Sequence, residues 1–501
     1  MPATAASATA YAARRFEHEA PAVDLLRWPI IGHLLRWRWI RTAFQIPLFL
    51  LAFVIVLHGL YGPDLAPKNL ATVVTWVHYR GLLVLVLLAA GNLFCFACPF
   101  LLPRELARWI FRPVWNWPRR LRNKWPALVL FVAILFGYEQ FALWENPQWT
   151  AWLIIGYFSA ALIVDALFKH ASFCKWVCPI GQFNFIASTL SPLEVRVREP
   201  NVCSACGTKD CIRGRVEPSV KGSGRQELPL VSHRGCELAL FQPMKVGNLD
   251  CTFCLDCVHA CPHDNVGVVS RLPGAELWAE TSRSGLGRLD VRRDFAALVL
   301  VFTFGALLNA FAMTSPMYIL AEWFSALTGI KQSWPILSAL FVAGLILEPV
   351  LLLVPAAALT RRATGNRQSV LALITRYALS LVPLGFGIWL AHYSFHFLTG
   401  ALTVIPVTES ALAEQGWELV KQPDWNMAGM RVSAVYPLEI GFVLLGIIAS
   451  CVVAVRLARK DCPHGPWRAY LPWIVLHALL GVSAIWLLSQ PMEMRGTFLR
   501  G

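Results

Sequence analysis

The chain has 501 residues, of which 56% are hydrophobic and only 15% are charged, and its mean hydropathy is +0.54. Soluble domains carry about 25% charged residues, and one globular core stops growing at about 250–300 residues, so this composition excludes an ordinary soluble protein. A net charge of +14 would suggest nucleic acid in a soluble protein, but in a membrane protein Lys and Arg collect in cytoplasmic loops.

Nine stretches are apolar enough and long enough to cross a bilayer, which takes about 20 residues. They lie at approximately 42–61, 74–95, 126–145, 149–169, 295–314, 335–357, 373–399, 434–456 and 469–489. Basic residues are dense before the first stretch and around 96–125, and sparse around 62–73. This alternation predicts a multi-pass protein of a bacterial cytoplasmic membrane, with the N-terminus cytoplasmic and the C-terminus periplasmic.

One long polar segment interrupts the hydrophobic pattern and holds ten of the fourteen cysteines. The fold class predicted is therefore an all-α polytopic membrane protein with an inserted cytoplasmic ferredoxin-like (α+β) module. Its four parts are a cytoplasmic N-terminal segment (1–41), a four-helix membrane region (42–169), the inserted module (170–294) and a five-helix membrane region (295–501). The module has 15 basic against 13 acidic residues, so the positive charge reflects topology, and we expect no nucleic-acid binding.

The strongest motif is a run of four cysteines, Cys251, Cys254, Cys257 and Cys261, followed by Pro262. Its spacing is the C-x₂-C-x₂-C-x₃-C-P run of bacterial ferredoxins, whose thiolates bind [4Fe–4S] clusters. Cytoplasmic thiols stay reduced, so a dense cysteine cluster indicates metal rather than disulfides. A structural zinc site is the alternative, but zinc takes four ligands in two pairs, whereas this run and its partner supply eight.

A second, irregular block supplies the partner cysteines. It contains Cys203, Cys206 and Cys211, and Cys236 follows after an insertion. In two-cluster ferredoxins the fourth cysteine of a run binds the other cluster. We therefore expect two [4Fe–4S] clusters, one held by Cys203, Cys206, Cys211 and Cys261 and the other by Cys251, Cys254, Cys257 and Cys236.

Two further cysteine pairs lie at the predicted cytoplasmic ends of the second and fourth spans. They are Cys95 with Cys98, before Pro99, and Cys174 with Cys178, before Pro179. Each pair closes a two-helix hairpin, so the first four spans form a weak tandem repeat ending in a Cys-Pro elbow. The pairs could be redox-active dithiols, could jointly bind a metal or a further cluster, or could simply be small residues at a turn.

Two motifs follow the hydrophobic hairpins, FCKWVCPIGQ (173–182) and CTFCLDCVHACP (251–262). This combination resembles the membrane-bound 4Fe–4S polyferredoxins, the group of NosR, NapH and CcoG. The resemblance covers roughly residues 40–270 and implies electron transfer between the quinone pool and a redox partner. Three features depart from the family pattern: the first elbow has two intervening residues instead of three, the first cysteine block is irregular, and the last five spans match no family pattern.

Ionisable residues inside membrane spans are costly and are functional candidates by default. Four histidines lie near the outer side of the membrane, namely His58, His78, His392 and His396. They could hydrogen-bond a quinone, or each could be a packing residue; haem b is disfavoured because a pair four residues apart cannot easily clamp one haem from both faces. Glu348 is a candidate proton relay, with an ion pair to Arg376 as the structural alternative.

The leading functional hypothesis is a membrane iron–sulfur protein that passes electrons between a cytoplasmic or membrane partner and quinone, in a respiratory or photosynthetic cyclic chain. Its partners would be membrane lipid, quinone and an unidentified redox protein, and its side chains would do no covalent chemistry. Whether such a chain is itself a quinone-linked oxidoreductase or only an electron-transfer subunit stays open. The alternatives are a redox-active assembly or metal-handling factor and a redox regulator of a membrane enzyme.

Overall fold

A computed structural model describes residues 23–111, 113–217, 230–279, 282–365, 367–417 and 422–492. Of the predicted N-terminal segment, residues 1–22 lie outside the described part of the chain. The helices are α1 (Pro29–Arg36), α2 (Ile40–Tyr61), α3 (Leu70–Ala90), α4 (Leu93–Phe96), α5 (Leu102–Ile110), α6 (Trp125–Gln140), α7 (Pro147–Leu167), α8 (Pro179–Ala187), α9 (Pro200–Ala205), α10 (Asp210–Arg213), α11 (Asp256–Ala260), α12 (Arg293–Phe311), α13 (Ser315–Thr328), α14 (Ser333–Thr364), α15 (Val370–Thr399), α16 (Val404–Ala413), α17 (Val432–Asp461) and α18 (Trp467–Leu488).

Eight of these helices are long and apolar enough to cross a membrane: α2, α3, α7, α12, α14, α15, α17 and α18. They correspond to eight of the nine predicted spans, and they make the protein a polytopic membrane protein. The third predicted span is shorter than expected, because α6 has only 16 residues. At 1.5 Å per residue it is about 24 Å long, less than the roughly 30 Å of a hydrocarbon core.

The end of α6 has a local cause. The chain turns directly after the helix, where Ala142 has a left-handed backbone with φ of 42°. The next helix then begins early, because the Asn146 side chain accepts a hydrogen bond from Trp149 N at 3.0 Å and caps α7. Residues that the hydrophobic pattern assigned to one span therefore form a turn.

Helices α12 and α15 form the centre of the membrane part, and most of their apolar residues are buried inside the protein. They are joined by Trp389, which is fully buried and donates a hydrogen bond from its indole nitrogen to Phe302 O at 2.8 Å. In contrast, α2 and α14 bury only about a fifth of theirs. A helix that is apolar all round and exposed on the protein surface is stable only where lipid covers it.

The polar segment contains six short strands, β1 (Leu193–Val197), β2 (Arg215–Glu217), β3 (Leu230–His233), β4 (Val266–Ser270), β5 (Ser282–Arg283) and β6 (Gly287–Arg288). They form three two-stranded antiparallel sheets, which pair β1 with β4, β2 with β3 and β5 with β6. Because β1 precedes the first cysteine block and β4 follows the last cysteine of the second, their pairing draws both blocks together. The ferredoxin-like assignment of this segment remains a prediction.

The N-terminal segment lies against the polar segment. Asp24 pairs with Arg198 at 2.7 Å, and Arg36 binds Asp264 through two hydrogen bonds of 2.8 and 3.0 Å. The described part of the N-terminal segment and the cysteine-rich segment are therefore on the same side of the membrane helices.

Candidate metal centres

Four cysteines of the polar segment lie around one cavity, and we call them the buried quartet: Cys236, Cys251, Cys254 and Cys257. Each has only 4–8% of its surface exposed. Apolar side chains, among them Leu238, Leu240 and Phe253, fill the rest of the cavity wall. The arrangement is an enclosed, mostly apolar cavity that four thiols line together with Gln242 and Thr252.

The loop that carries three of these thiols has an unusual backbone. Asp250, Phe253 and Leu255 all have φ of about 60° (60°, 57° and 62°), a left-handed conformation that is uncommon for residues with a side chain. The turns direct backbone N–H groups to sulfur, because Phe253 N donates to Cys251. Such strain costs about 1–3 kcal/mol per residue and is concentrated at functional sites, where N–H···S bonds tune a cluster.

The second set of cysteines lies nearer to solvent, and we call it the surface quartet: Cys203, Cys206, Cys211 and Cys261. All four are partly exposed. The amide of Asn265 joins two of them, because its side-chain nitrogen lies 3.3 Å from Cys203 Sγ and its backbone nitrogen 3.4 Å from Cys261 Sγ. The structure thus brings Cys261 to the first block, as the exchanged fourth ligand requires.

The pKa values of the thiols report the same proximity. Burial raises the pKa of Cys211 to about 12, and the neighbouring Cys203, Cys261 and Cys206 add to the effect. Burial raises the pKa of Cys236 to about 11, and Cys251 contributes. Binding of iron to these cysteines would therefore have to displace thiol protons.

The two Cys-Pro elbows meet. Cys95, Cys98, Cys174 and Cys178, the elbow quartet, line one cavity together with Phe94, Phe100 and Phe185. Each second cysteine precedes a proline that starts a helical turn, so backbone N–H groups point at its sulfur; Gly181 N, for example, donates to Cys178 Sγ at 3.2 Å. The Asn184 amide lies 3.4 Å from Cys95 Sγ.

The donor sets of the three quartets fit iron–sulfur clusters. In such clusters each cysteine thiolate binds a different iron atom, and each quartet supplies four thiols. Within the described part of the chain, no group of three His, Cys, Asp or Glu side chains that could hold a single metal ion is found.

Buried charges separate the buried quartet from the elbow quartet. Arg41 pairs with Glu237 at 3.0 Å, and Arg104 pairs with the same carboxylate at 2.8 Å. Arg104 is completely buried and also contacts Asp165 at 3.3 Å. Despite desolvation, the two arginines hold the pKa of Glu237 well below its usual range. Arg41 acts electrostatically on thiols of both quartets, Cys254 and Cys98.

The buried quartet is also joined directly to the elbows. Asn92 donates from its amide to Cys251 O at 2.9 Å, and Lys124 pairs with Asp250 at 2.6 Å. Next to Asn92, Gly91 has φ of +67°, and a Cβ there would lie 2.9 Å from the Phe253 ring.

The sequence prediction missed the roles of Arg41, Arg104 and Lys124, which it counted as topology charges. One feature of the sequence could have indicated these ion pairs. The acidic partners Glu237 and Asp250 are each adjacent in sequence to a cysteine, Cys236 and Cys251.

The four predicted histidines have different surroundings, and their role as a quinone site remains a prediction. His58 Nδ1 accepts a hydrogen bond from Leu70 N at 3.2 Å, and its Nε2 lies 3.5 Å from Glu414. Both ring nitrogens of His78 lie against backbone carbonyls. His392 and His396 are buried on one helix with ring centroids 5.1 Å apart, which leaves no gap for a macrocycle between them.

Glu348 is half-buried at a change from π- to α-helical geometry inside α14. The alternative pairing with Arg376 is wrong, because Arg376 binds Asp461 through hydrogen bonds of 3.1 and 3.2 Å at the end of α17. Sequence reasoning overlooked a second membrane carboxylate, Glu439, which is 1% exposed. A role for Glu348 as a proton relay remains a prediction.

Three curated proteins are similar to this chain. The ferredoxin-type protein NapH of Escherichia coli K12 is 28% identical over 38% of the chain, and the methylamine utilization ferredoxin-type protein MauN of Methylobacillus flagellatus is 24% identical over 39%. The putative electron transport protein YccM of E. coli K12 is 27% identical over 20% of the chain. These matches confirm the resemblance to the membrane polyferredoxins.

The matches cover part of each protein. The chain spans 65% of the length of NapH, 71% of MauN and 22% of YccM. No family model matches the chain, and no solved structure does. The relatives indicate a ferredoxin-type electron-transfer protein with membrane helices, and the family implies iron–sulfur clusters.

Proposed function

We propose that this chain passes electrons between a soluble redox protein on the cytoplasmic side and the quinone pool of a bacterial cytoplasmic membrane. One observation carries the proposal: three cysteine quartets follow one another from the protein surface to the ends of the membrane helices. Cys236 N donates to Cys211 O at 2.9 Å and so joins the surface quartet to the buried quartet. Arg41 lies between the buried quartet and the elbow quartet.

In this proposal the surface quartet and the buried quartet each hold a [4Fe–4S] cluster, and the elbow quartet holds a third iron–sulfur centre. Such clusters supply one-electron transfer, while the protein sets their exposure, spacing and hydrogen bonds. The surface quartet is the contact for the redox protein because its cysteines are partly exposed. The elbow quartet is the contact for quinone because it lies where helices α3 and α7 end.

The charged residues between the quartets have a defined task. An electron that arrives at a cluster adds negative charge in a low-dielectric interior, where nearby cations are most effective. Arg41 and Arg104 would stabilise that charge on either side of Glu237, and the carboxylate keeps both guanidinium groups in place. Reduction of one quinone to quinol consumes two protons and two electrons, and the soluble redox protein would supply these electrons one at a time.

The experiment uses the full chain, purified anaerobically. We expect about twelve iron atoms per chain if all three quartets hold cubanes, and oxidation of the dithionite-reduced clusters by a short-tail quinone. Replacing Cys98 and Cys178 by Ala should remove about four iron atoms and slow quinone-dependent oxidation at least tenfold. Cys462→Ala is the matched control, because this thiol lies outside the three quartets. If quinone leaves the reduced clusters unchanged, the proposal fails.

The elbow dithiols also favour a second function, an assembly or metal-handling factor in which the clusters only reduce the elbow site. The same double variant distinguishes the two functions. Loss of copper binding with unchanged oxidation of the clusters by quinone would favour metal handling. Loss of quinone oxidation with no change in copper binding would favour electron transfer.

A further inference from the structure

A large cavity lies inside the membrane part, next to the elbow quartet. Its volume is about 490 Å³, and helices α2, α3, α6 and α7 contribute most of its wall. Pockets for small molecules in proteins have volumes of about 300–1,000 Å³. Leu51 and Leu82 belong to the wall and are also exposed on the lipid-facing surface, at 44% and 47%, so the cavity is accessible from the bilayer.

Only one layer of side chains separates this cavity from the elbow cysteines. Phe94, Phe100 and Ile180 line both the membrane cavity and the cavity of the elbow quartet. The Tyr79 ring packs edge-to-face on Phe94, with centroids 5.1 Å apart. Its hydroxyl is close enough to Cys98 and Cys95 to interact electrostatically with their sulfurs. A molecule in the cavity would therefore be adjacent to the elbow site.

The wall is apolar except for a few groups, and three of these have a buried atom without a hydrogen-bond partner. They are the Tyr79 hydroxyl, the Tyr157 hydroxyl and Oδ1 of Asn309. A buried polar atom without a partner is energetically unfavourable, so its retention inside a membrane requires a reason. The Tyr79 hydroxyl can donate to a carbonyl oxygen, and the Asn309 side chain offers an acceptor for a hydroxyl.

A cation lies at the same level. Arg80 is 9% exposed, donates to Trp76 O at 2.9 Å and to the Tyr138 hydroxyl at 3.1 Å, and lies 4.8 Å from the centroid of the Tyr393 ring. The aromatic rings hold the guanidinium group in the cavity wall. A carbonyl oxygen is a favourable neighbour for such a group.

The local backbone explains why these residues converge. Residues 73–79 form a π-helical segment within α3, and such segments occur frequently at functional sites because they shift the following side chains. Gly81 then allows α15 to approach closely, since a Cβ at this position would lie 2.2 Å from Cβ of Phe397. Both features direct one stretch of α3, Tyr79 and Arg80, to the cavity near mid-membrane.

We propose that this cavity binds the head group of a membrane quinone, with Tyr79 donating a hydrogen bond to a quinone carbonyl, Arg80 lying beside the head group and Asn309 accepting from the quinol. This inference rests on the proposed function and names its quinone site. The occupant is a quinone rather than a phospholipid because the polar groups are neutral or singly positive, and because Tyr79 and Arg80 lie at the middle of α3, where a phospholipid has only acyl chain. Of the four predicted histidines, His78 also lines the cavity, but its ring nitrogens lie against the carbonyl oxygens of Val73 and Ala401, so we assign the hydrogen bond to Tyr79.

The test is photolabelling of the full chain in lipid nanodiscs with an azido-benzoquinone that carries a decyl tail. We expect the label in peptides of α3 and α6, and competition by decyl-ubiquinone. Tyr79→Phe should weaken that competition about fivefold, the effect of one lost hydrogen bond. Ala52→Trp, which fills the cavity, should weaken it at least tenfold. Tyr61→Phe is the control, because Tyr61 is 83% exposed on the neighbouring helix.

Labelling outside the cavity, or bound phospholipid that quinone does not displace, would overturn the inference. The labelling is repeated in the chain with Cys98 and Cys178 replaced by Ala, in which binding should persist. If quinone oxidises the clusters but does not label the cavity, the proposed quinone site is wrong and the proposed function stands. If the cavity is labelled but quinone does not oxidise the clusters, the proposed function is wrong and the quinone site stands.

Discussion

The buried and surface quartets have the same donor set and different surroundings. The buried quartet is enclosed, its backbone is left-handed at three residues, and buried charges lie on its membrane side. The surface quartet is partly exposed, and the Arg36–Asp264 ion pair beside it is itself exposed, at 37% and 59%. The two sites therefore differ in accessibility. The buried quartet is enclosed in the protein core, whereas the surface quartet is accessible to a partner protein.

The largest effect expected from this difference concerns loss of a ligand. Cys254→Ala would leave three thiols and a cavity in the protein interior, whereas Cys206→Ala changes a site that solvent already reaches. Because the free energy of metal binding is also free energy of folding, we expect Cys254→Ala to lower both iron content and the yield of folded protein. Cys206→Ala should lose about four iron atoms per chain with the fold retained.

The measurement is iron and acid-labile sulfide per chain, together with the fraction of monodisperse protein after purification. Cys451→Ala serves as a control outside the quartets. Equal losses of folded protein for the two variants would show that burial does not distinguish the sites.

The second prediction concerns the charges beside each quartet. Arg104 is fully buried between Glu237, Asp165 and Glu105, so Arg104→Ala would remove the cation that these three carboxylates share and would leave Glu237 with Arg41 alone as its ion-pair partner. Breaking a buried pair in this way costs about 3–5 kcal/mol in the free energy of unfolding. Arg36→Ala, which breaks the exposed pair at the surface quartet, should cost less than about 1 kcal/mol. Thermal unfolding in detergent gives both values, and similar costs would contradict the comparison.

The features that could be predicted from sequence are the local ones. Cysteine spacing and the length of apolar stretches depend only on neighbouring residues. The structure brings Cys251, Cys254 and Cys257 of the predicted run to one cavity, and it makes eight of the nine predicted apolar stretches long helices. Arg104 and Lys124 were counted as cytoplasmic loop charges, yet they are 0% and 1% exposed. Their partners Glu237 and Asp250 are 133 and 126 residues away, so no local pattern could reveal the pairs.

The membrane cavity was missed for a related reason. The π-helical segment of α3 and the close approach at Gly81 depend on how helices pack, and hydrophobic periodicity contains no information on either. The prediction therefore selected histidines by residue type and passed over Tyr79 and Arg80, which the packing of the helices brings to the membrane cavity.

The smallest expected effect is a change in reduction potential at the surface quartet. The Asn265 side chain donates to Cys203 Sγ, and such bonds stabilise the more negative, reduced cluster. Asn265→Ala removes this donor but keeps the backbone N–H that points to Cys261. A lost hydrogen bond of about 0.5–1.5 kcal/mol lowers a one-electron potential by about 20–60 mV.

Redox titration followed by EPR measures this shift, and Asn184→Ala is its matched control. Asn184 donates to Cys95 of the elbow quartet, so its loss should leave the potential of the surface cluster unchanged. The potential of the buried cluster should not move in either variant, because both side chains lie against other quartets. A shift at the buried cluster in Asn265→Ala would mean that the two sites are electrostatically coupled, and the separation of tasks by burial would then be incomplete.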